Sequence, residues 1–485
     1  MTGSPLTAAA LLLAAVATVA IGAYGVRFSR TTSDFLVASR TVGSQWNAAA
    51  ISGEYLSAAS FLGVAGLIAK YGADALWYPV GFTAGYLGLL LFVAAPLRRS
   101  GAYTVPDFAE FRLGSARLRK VAMLVVVVVC IFYLVPQYQG AGLALKTLLG
   151  TPVWLGPVAV GAIVITNVVA GGMRSITFVQ AFQYWLKLTA IAIPALALTA
   201  LFFSDSGGPE GWKLGGALPP TVQQDTTVSI DTDVVVSVTE PEGVTVSGTL
   251  DGRAVNVSDI GGPGDHTLGA GSTLTLAAGA ATPVVAGAPS TGADWIASGR
   301  GFGGHHPLYQ VISIMVATFL GTMGLPHVLV RFYTNPDGRA ARRTALAVIA
   351  LLSLFYLFPT LIGVFSRLYV PQLLITGNSD AAVLLAPAAA IGGPVGQVVA
   401  ALVAAGAIAA FLATSSGLLV SFAGALATDV LPGRVRDFRL AAVVGGLIPI
   451  PLALTTAGGL ELSRSVGLAF AVAASTLCPL LVLGI

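Results

Sequence analysis

Residues 45–69, QWNAAAISGEYLSAASFLGVAGLIA, form the segment of this chain with the clearest potential for chemistry. The segment is long enough to cross a bilayer, yet small and polar residues surround a carboxylate, Glu54, near its middle. A carboxylate at that depth costs at least about 2.5 kcal/mol on insertion scales, so it normally faces a cavity or a partner. The segment therefore predicts a polar binding site inside the membrane.

A second polar stretch, GTMGLPHVLVRFYT at residues 321–334, predicts a broken membrane helix. Pro326 removes a backbone donor, and Gly321 and Gly324 loosen the turn before it, so the helix is expected to kink or unwind here. The freed backbone groups of such breaks hold cations and carboxylates in transporters. His327 could carry a proton or donate to a substrate carboxylate. The alternative is a histidine that packs against a neighbouring helix.

Hydroxyl groups mark a third helix, residues 406–426, which otherwise consists of small and apolar residues. Hydroxyl and carbonyl oxygens are hard ligands that suit a small cation. Equally, such hydroxyls often bond back to their own helix, and small residues permit close helix packing. The hydroxyl-bearing residues are Thr414, Ser415, Ser416 and Ser421.

The composition indicates an integral membrane protein. Of the 485 residues, 55% are hydrophobic and 9% are charged, whereas soluble domains carry about 25% charged residues. The mean hydropathy is +0.85, and a net charge of +4 is too small to indicate a nucleic-acid partner. The absence of P-loop, zinc-protease and nucleophile-elbow motifs argues against an enzyme. Cys130 and Cys478 lie in apolar runs and are predicted to be inert packing residues.

Apolar stretches of membrane-spanning length predict eleven transmembrane helices. Basic residues concentrate in alternate connecting loops, so the positive-inside rule places the N-terminus outside. Arg331, at one of these boundaries, is expected to anchor its helix at the membrane interface. The predicted helices are residues 6–26, 45–69, 75–96, 121–148, 152–170, 176–203, 307–332, 344–369, 393–422, 439–457 and 465–485.

Residues 204–306 interrupt this pattern. They hold more than half of the acidic residues, and Val or Thr alternates with polar residues between Pro-Glu-Gly and Asp-Gly turns. The alternation predicts a small β-rich insertion on the outer side. The insertion could capture substrate or a partner, or it could be an insertion without a role in a tolerant loop.

Several motifs together resemble the sodium/solute symporter family, and within it the acetate/monocarboxylate permease branch. Residues 33–40, SDFLVASR, look like the entry motif before the first core helix, and residues 53–63, GEYLSAASFLG, are close to the acetate-permease form of that helix. GLPHVLVRF at residues 324–332 is the most branch-specific match, and VGLAFAVAAS at residues 466–475 supports the same branch. The resemblance runs from about Ser33 to the end of the chain, apart from the insertion.

The resemblance implies an all-α integral membrane fold of the leucine-transporter type, built from two inverted five-helix repeats. Residues 1–30 would be a leading transmembrane helix, 45–203 the first half, 204–306 the extracellular β-rich insertion and 307–485 the second half. Members of this branch usually continue through further helices. The abrupt apolar end of the sequence is therefore expected to reflect a trimmed C-terminus.

The resemblance also implies a coupling-ion site between the first and eighth core helices. Carried over by position, the carbonyls of Ala49 and Ser52 would face the carbonyl of Ala410 and the hydroxyl of Thr414, with Na⁺ among them. Ala413 stands where many sodium-coupled members have serine, so the coupling ion is expected to be Na⁺ or H⁺. No other cofactor is expected.

The residues expected to bind substrate or to gate access lie at the two breaks and on the fifth core helix. Because a carboxylate repels an anionic substrate, Glu54 is expected to act as a proton carrier, a partner of the coupling cation or a gating group. Gln180 stands where sugar-transporting members have an acid, although acetate-type relatives also carry glutamine. The set is Glu54, Ser57, Gln180, Gly324 and His327.

The predicted function is symport of a small monocarboxylate, such as acetate, propionate or pyruvate, with Na⁺ or H⁺ across the plasma membrane. The lipid bilayer and the substrate are the expected partners, and no obligatory protein partner is expected. Two alternatives stay open: a symporter of the same fold for an amino acid or a sugar, and a non-transporting sensor built on this fold.

Overall fold

Helices make up most of the computed structural model, which describes residues 4–27, 37–204, 215–303, 305–431, 434–456 and 461–484. Those before the insertion are Pro5–Val26 (α1), Ser44–Tyr55 (α2), Val64–Tyr71 (α3), Trp77–Gly88 (α4), Ala94–Arg99 (α5), Val105–Leu113 (α6), Ala116–Leu149 (α7) and Leu155–Ser204 (α8). Those after the strands are Gly292–Ile296 (α9), Pro307–Gly324 (α10), Pro326–Phe332 (α11), Gly338–Tyr369 (α12), Ala382–Ile391 (α13), Gly393–Asp429 (α14), Val435–Leu447 (α15), Pro449–Thr455 (α16), Leu462–Ser475 (α17) and Leu477–Gly484 (α18).

Nine helical stretches in the described part of the chain are long and apolar enough to cross a membrane. Two of them, Ala59–Arg99 and Leu155–Ser204, contain a glycine with positive φ, at Gly72 (65°) and Gly172 (57°). Glycine adopts this conformation without a steric penalty, so the backbone can leave helical geometry there. Each of these two stretches thus includes all or part of two predicted segments, so the eleven predicted segments correspond to nine stretches.

Several membrane segments in the described part of the chain are interrupted, and two of the interruptions are ones that the sequence predicts. α2 ends at Tyr55, and the chain resumes as a π-helical turn, Ala59–Gly63, that leads into α3. α10 and α11 are separated by Leu325, whose φ of −70° and ψ of 117° are extended. Proline disfavours helical geometry at the residue before it, which accounts for this break. Further interruptions separate α15 from α16 and α17 from α18.

α14 is the central helix of the bundle. In the most apolar part of this helix 72% of the residues are buried, against 28% in α1, which lies at the periphery. The α14 sequence is rich in alanine, glycine and serine, and these small side chains allow close helix packing. Three other helices, α2, α7 and α8, therefore pack closely against α14.

The predicted β-rich insertion is a seven-stranded antiparallel sheet with the order β1-β6-β3-β5-β2-β7, in which β4 pairs with β3. Its own apolar core is made largely of valine, leucine and isoleucine. The strands are Thr226–Ser229 (β1), Val234–Val238 (β2), Val244–Leu250 (β3), Arg253–Asp259 (β4), Gly264–Leu268 (β5), Thr273–Leu276 (β6) and Val284–Val285 (β7).

The C-terminal part of the insertion is attached to the end of α3. The Trp295 indole donates to the carbonyl of Ile68 over 2.8 Å. The Asp74 carboxylate accepts from the backbone N–H groups of Gly299 and Gly301, each over 2.7 Å. These bonds connect the insertion to residues at and just after the end of α3. The insertion and the C-terminal part of the first broken helix, α3, are therefore in direct contact.

Candidate functional site

A buried ion pair joins the two predicted broken helices. Glu54 lies one residue before the end of α2, and Arg331 lies in the second turn of α11. Arg331 Nε donates to Glu54 Oε2 over 2.6 Å, and each side chain is only 1% exposed. The predicted partner of the intramembrane carboxylate is thus an arginine of the other break.

The predicted role of Arg331 as an interfacial anchor is wrong. Its guanidinium donates Nη1 to the Thr177 hydroxyl over 2.8 Å and Nη2 to the Gln180 side-chain carbonyl, and the residue is fully buried. An arginine presents several donors in a fixed plane, so one side chain can tie α2 and α11 to α8. In the sequence, Arg331 lies at the boundary of a predicted membrane segment, which suggested a position at the membrane interface. In the structure, α11 places its side chain inside the bundle.

Gln180 extends the same hydrogen-bond network to the central helix. Its amide donates to the carbonyl of Ala413 on α14 over 2.9 Å, and Thr414, the next residue, donates its hydroxyl to the carbonyl of Glu54. Thr414 thus satisfies one of the carbonyls that the end of α2 leaves without a helical partner. The structure brings Glu54, Gln180 and Thr414 together as parts of one network.

Lys187 is a central residue that sequence reasoning missed. Its side chain is fully buried on α8, and its ammonium group donates to the carbonyls of Gly53 and Leu56, the latter over 2.6 Å. Both carbonyls lie at the broken end of α2. The available signal was a lone lysine within the predicted membrane segment 176–203, since intramembrane charges usually mark functional sites.

His327 and Ser57 are buried at the two breaks. The imidazole ring of His327 meets the edge of the Tyr133 ring, with centroids 5.2 Å apart. Neither imidazole nitrogen has a hydrogen-bond partner among the described residues. Gly324 ends α10 against the backbone of α17, where a β-carbon would collide with the carbonyl oxygen of Ala473. His327 therefore presents free donor and acceptor capacity inside the bundle.

The remaining predicted cation ligands, Ala49, Ser52 and Ala410, are all buried on α2 and α14. The Ser52 hydroxyl has no hydrogen-bond partner in the described part of the chain. Oxygen atoms suited to a small cation are thus present, but the four-residue sodium set stays a prediction.

Polar contacts hold both parts of the first broken helix. On the side of the insertion, Lys70 of α3 pairs with Glu461, just before α17, over 2.9 Å. On the opposite side, the Asn47 amide donates to the carbonyl of Arg331 and to the side chain of Asn335, each over 2.9 Å. Both parts of the first broken helix are therefore bonded to distant parts of the chain.

Asp380, next to the Lys70–Glu461 pair, predicts a pH dependence of stability. Burial raises the pKa of its carboxyl to about 7, although the Leu462 N–H donates to it over 2.8 Å. Because the folded pKa exceeds the unfolded value of 3.8, the stabilisation is complete below about pH 4 and is lost as pH rises through about 7.

We therefore expect the melting temperature of the purified protein to fall between about pH 4 and 7, by an amount equivalent to at most about 4 kcal/mol. Asp380→Asn should flatten this part of the profile, because the neutral amide cannot ionise. Thermal unfolding of both proteins in detergent across this range checks the prediction. An unchanged pH profile in the variant would show that other groups cause the dependence.

Comparison with known proteins places the chain in a family. Its sequence matches the sodium:solute symporter family over residues 35–211 and 268–485. It is 31% identical over 491 residues to the "uncharacterized symporter YwcA" of Bacillus subtilis (strain 168), covering 98% of this chain and 80% of the relative. It is also 31% identical over 474 residues to the "monocarboxylic acid transporter" of Corynebacterium glutamicum, covering 94% of this chain and 74% of the relative.

The fold also has a counterpart among solved structures. A Na⁺-coupled sialic acid symporter, in a substrate-bound outward-open state, superposes with a TM-score of 0.64 at 14% identity, over 99% of this chain and 87% of the other. This similarity confirms the leucine-transporter-type fold, in which the broken helices α2–α3 and α10–α11 lie at the centre. The chain belongs to the sodium:solute symporter family, and it is a multi-pass membrane transporter rather than an enzyme.

Proposed function

We propose that this protein is a secondary active symporter that imports a small monocarboxylate of the acetate, propionate or pyruvate type together with Na⁺ or H⁺. Support comes from the relative named a monocarboxylic acid transporter and from the branch-specific motifs at the two breaks. The proposed location is the plasma membrane with the N-terminus outside, in keeping with the basic residues of alternate loops.

The observation that carries the proposal is the excess of basic side chains at the breaks. Glu54 is the carboxylate of this cluster, and Arg331 pairs with it directly. Lys187 binds the backbone carbonyl of Gly53, the residue before Glu54, and both basic side chains are fully buried. Two basic groups against one acid favour the entry of one further negative charge, because charges interact strongly where water is excluded. A monocarboxylate supplies one negative charge and a small apolar body. A neutral sugar would supply no charge to match this excess.

Substrate is expected to bind where the two breaks meet, with His327 as a hydrogen-bond donor to its carboxylate. The imidazole is buried and has no partner among the described residues, so a substrate oxygen would satisfy it. Ser57 and Gly324 would line the same region, and Glu54 would gate it. If Na⁺ is the coupling ion, it is expected between the carbonyls of Ala49, Ser52 and Ala410 and the hydroxyl of Thr414.

Replacing His327 by leucine tests its assigned role. Loss of a hydrogen bond to a charged group should raise the KM for the monocarboxylate about tenfold or more, with folded protein still obtained. His305→Leu, at an exposed histidine just before α10, is the control and should leave KM unchanged. An unaltered KM for His327→Leu would assign this histidine to packing alone.

Uptake into proteoliposomes tests the function. Labelled acetate and pyruvate are offered under an imposed Na⁺ gradient, an imposed H⁺ gradient, or neither, with protein-free liposomes as the blank. Concentrative uptake under one gradient is expected. Uptake that ignores both gradients would contradict symport.

A competition panel separates the alternatives. Excess propionate should inhibit the uptake, whereas amino acids and sugars should not. Binding of a monocarboxylate without any transport would favour the sensor alternative.

A further inference from the structure

We propose that Lys187 carries the coupling proton: its ammonium group takes the place of a coupling metal cation at the break of α2, so that uptake follows the proton gradient and needs no sodium. This inference rests on the proposed monocarboxylate symport and specifies its coupling ion.

The geometry around Lys187 is that of a cation held by a broken helix. The ammonium group has three donors and no acceptor, and it donates to the carbonyls of Gly53 and Leu56, which α2 leaves free where it ends. Carbonyl oxygens of interrupted helices are the groups that hold coupling cations in transporters of this architecture. An ammonium group therefore occupies carbonyl oxygens that would otherwise be available to a metal ion.

Burying a lysine costs more free energy than a purely structural contact with these carbonyls requires. Its side chain is fully buried, and no carboxylate lies within ion-pair distance of it among the described residues. A neutral amide or hydroxyl could donate to the same carbonyls without burying a charge. Thr414 does so for the neighbouring carbonyl of Glu54. What distinguishes lysine from these donors is that it can gain and lose a proton.

The surrounding charges make proton binding and anion binding mutually favourable. Arg331 pairs with Glu54, so the protonation of Lys187 decides whether the cluster has a net charge of zero or one positive charge. Glu54 is the charged group whose field acts on Lys187, and Arg331 acts on that same carboxylate. The other titratable side chains in the field of Glu54 are the neutral Tyr86, Tyr133 and Cys130.

The proton balance of the cycle follows from this charge count. On the outer side, the Lys187 amine binds one proton, and the positive cluster admits one carboxylate anion. After the bundle reopens on the inner side, the anion leaves and the ammonium group releases the same proton. Only an N–H bond forms and breaks, and one proton and one anion move together, so the cycle is electroneutral. Reciprocal coupling of this kind typically changes affinities 5- to 150-fold.

Two substitutions separate this role from a structural one. Lys187→Arg keeps a positive charge that cannot be released, so the ratio of net uptake driven by a pH gradient to exchange of external for internal substrate should fall at least about tenfold relative to wild type. Lys187→Met removes the charge and should impair both. Lys146→Met, at an exposed lysine paired with Asp231, is the control.

The measurement uses labelled pyruvate in sodium-free proteoliposomes, because undissociated acetic acid crosses bilayers without a carrier. Wild-type protein should accumulate pyruvate when the outside is acidic, and added Na⁺ should not increase the rate. pH-driven uptake that survives in Lys187→Met would overturn the inference. Accumulation by wild-type protein that follows a Na⁺ gradient and ignores the pH gradient would overturn it too, even if neither variant folds.

The failure of this inference is distinguishable from failure of the proposed function. Wild-type protein that exchanges monocarboxylates but couples them to Na⁺ contradicts only the role of Lys187. Wild-type protein that exchanges no monocarboxylate contradicts the proposed function itself.

Discussion

Replacing Arg331 by methionine is expected to destabilise the protein by about 3–5 kcal/mol, because the Glu54 carboxylate then stays buried without its cationic partner. The ion pair is 1% exposed on both sides, so water cannot replace the lost guanidinium. The same substitution removes donors to Thr177 and Gln180, which loosens α11 from α8. Thermal unfolding of the purified protein in detergent measures the loss, and transport is expected to disappear with it.

The double substitution Glu54→Gln with Arg331→Met should recover much of this stability, since no charge is then buried without a partner. Arg342→Met, at an exposed arginine of α12, is the control for loss of a positive charge and should unfold like wild type. If Arg331→Met alone unfolds like wild type, the buried pair does not have the energetic role assigned to it.

Adding a β-carbon at Gly53, by the substitution Gly53→Ala, is expected to have the second large effect on stability and uptake. Such an atom would collide with the backbone carbonyl oxygen of Gln180, so α2 could no longer pack closely against α8. Overpacking of this kind typically costs about 1–3 kcal/mol, and a collision with backbone leaves little room for relaxation. The shift would also displace the Gly53 carbonyl from Lys187, so Gly53→Ala is expected to abolish uptake.

Gly43→Ala is the matched control, because nothing lies within 4 Å of a β-carbon at that position. Gly417→Ala offers an independent check: its β-carbon would meet the Glu54 carboxylate from α14, so uptake should be lost there as well. Uptake and melting temperature of all three variants, measured side by side, test the packing. Normal uptake by Gly53→Ala would contradict the close approach of α2 and α8.

The broken helices could be predicted from sequence because their causes are local. Pro326 favours extended geometry at Leu325, the residue before it. The small and polar residues around Glu54 are not typical of a helix that faces lipid. The alternation of valine and threonine likewise indicated the sheet of the insertion, since side chains of a strand alternate between its two faces.

The partners of the buried charges could not be predicted in the same way. Glu54 and Arg331 lie 277 positions apart, and only the packing of α11 against α2 and α8 brings their side chains together. The interfacial role assigned to Arg331 assumed a helix that continues to the membrane boundary, whereas the break at Leu325 turns the residue into the bundle. Lys187 was detectable as a lone intramembrane charge, but its carbonyl partners depend on where α2 ends.

Substrate counterflow tests the central claim most directly, namely that the two breaks form an alternating-access site for a small monocarboxylate. Proteoliposomes loaded with unlabelled pyruvate are diluted into a trace of labelled pyruvate, without any ion gradient. An alternating-access carrier should accumulate the label transiently above its equilibrium level, and Gly53→Ala should not, while Gly43→Ala should behave like wild type. A wild-type protein that shows no such overshoot, with pyruvate, acetate or propionate, would contradict the claim.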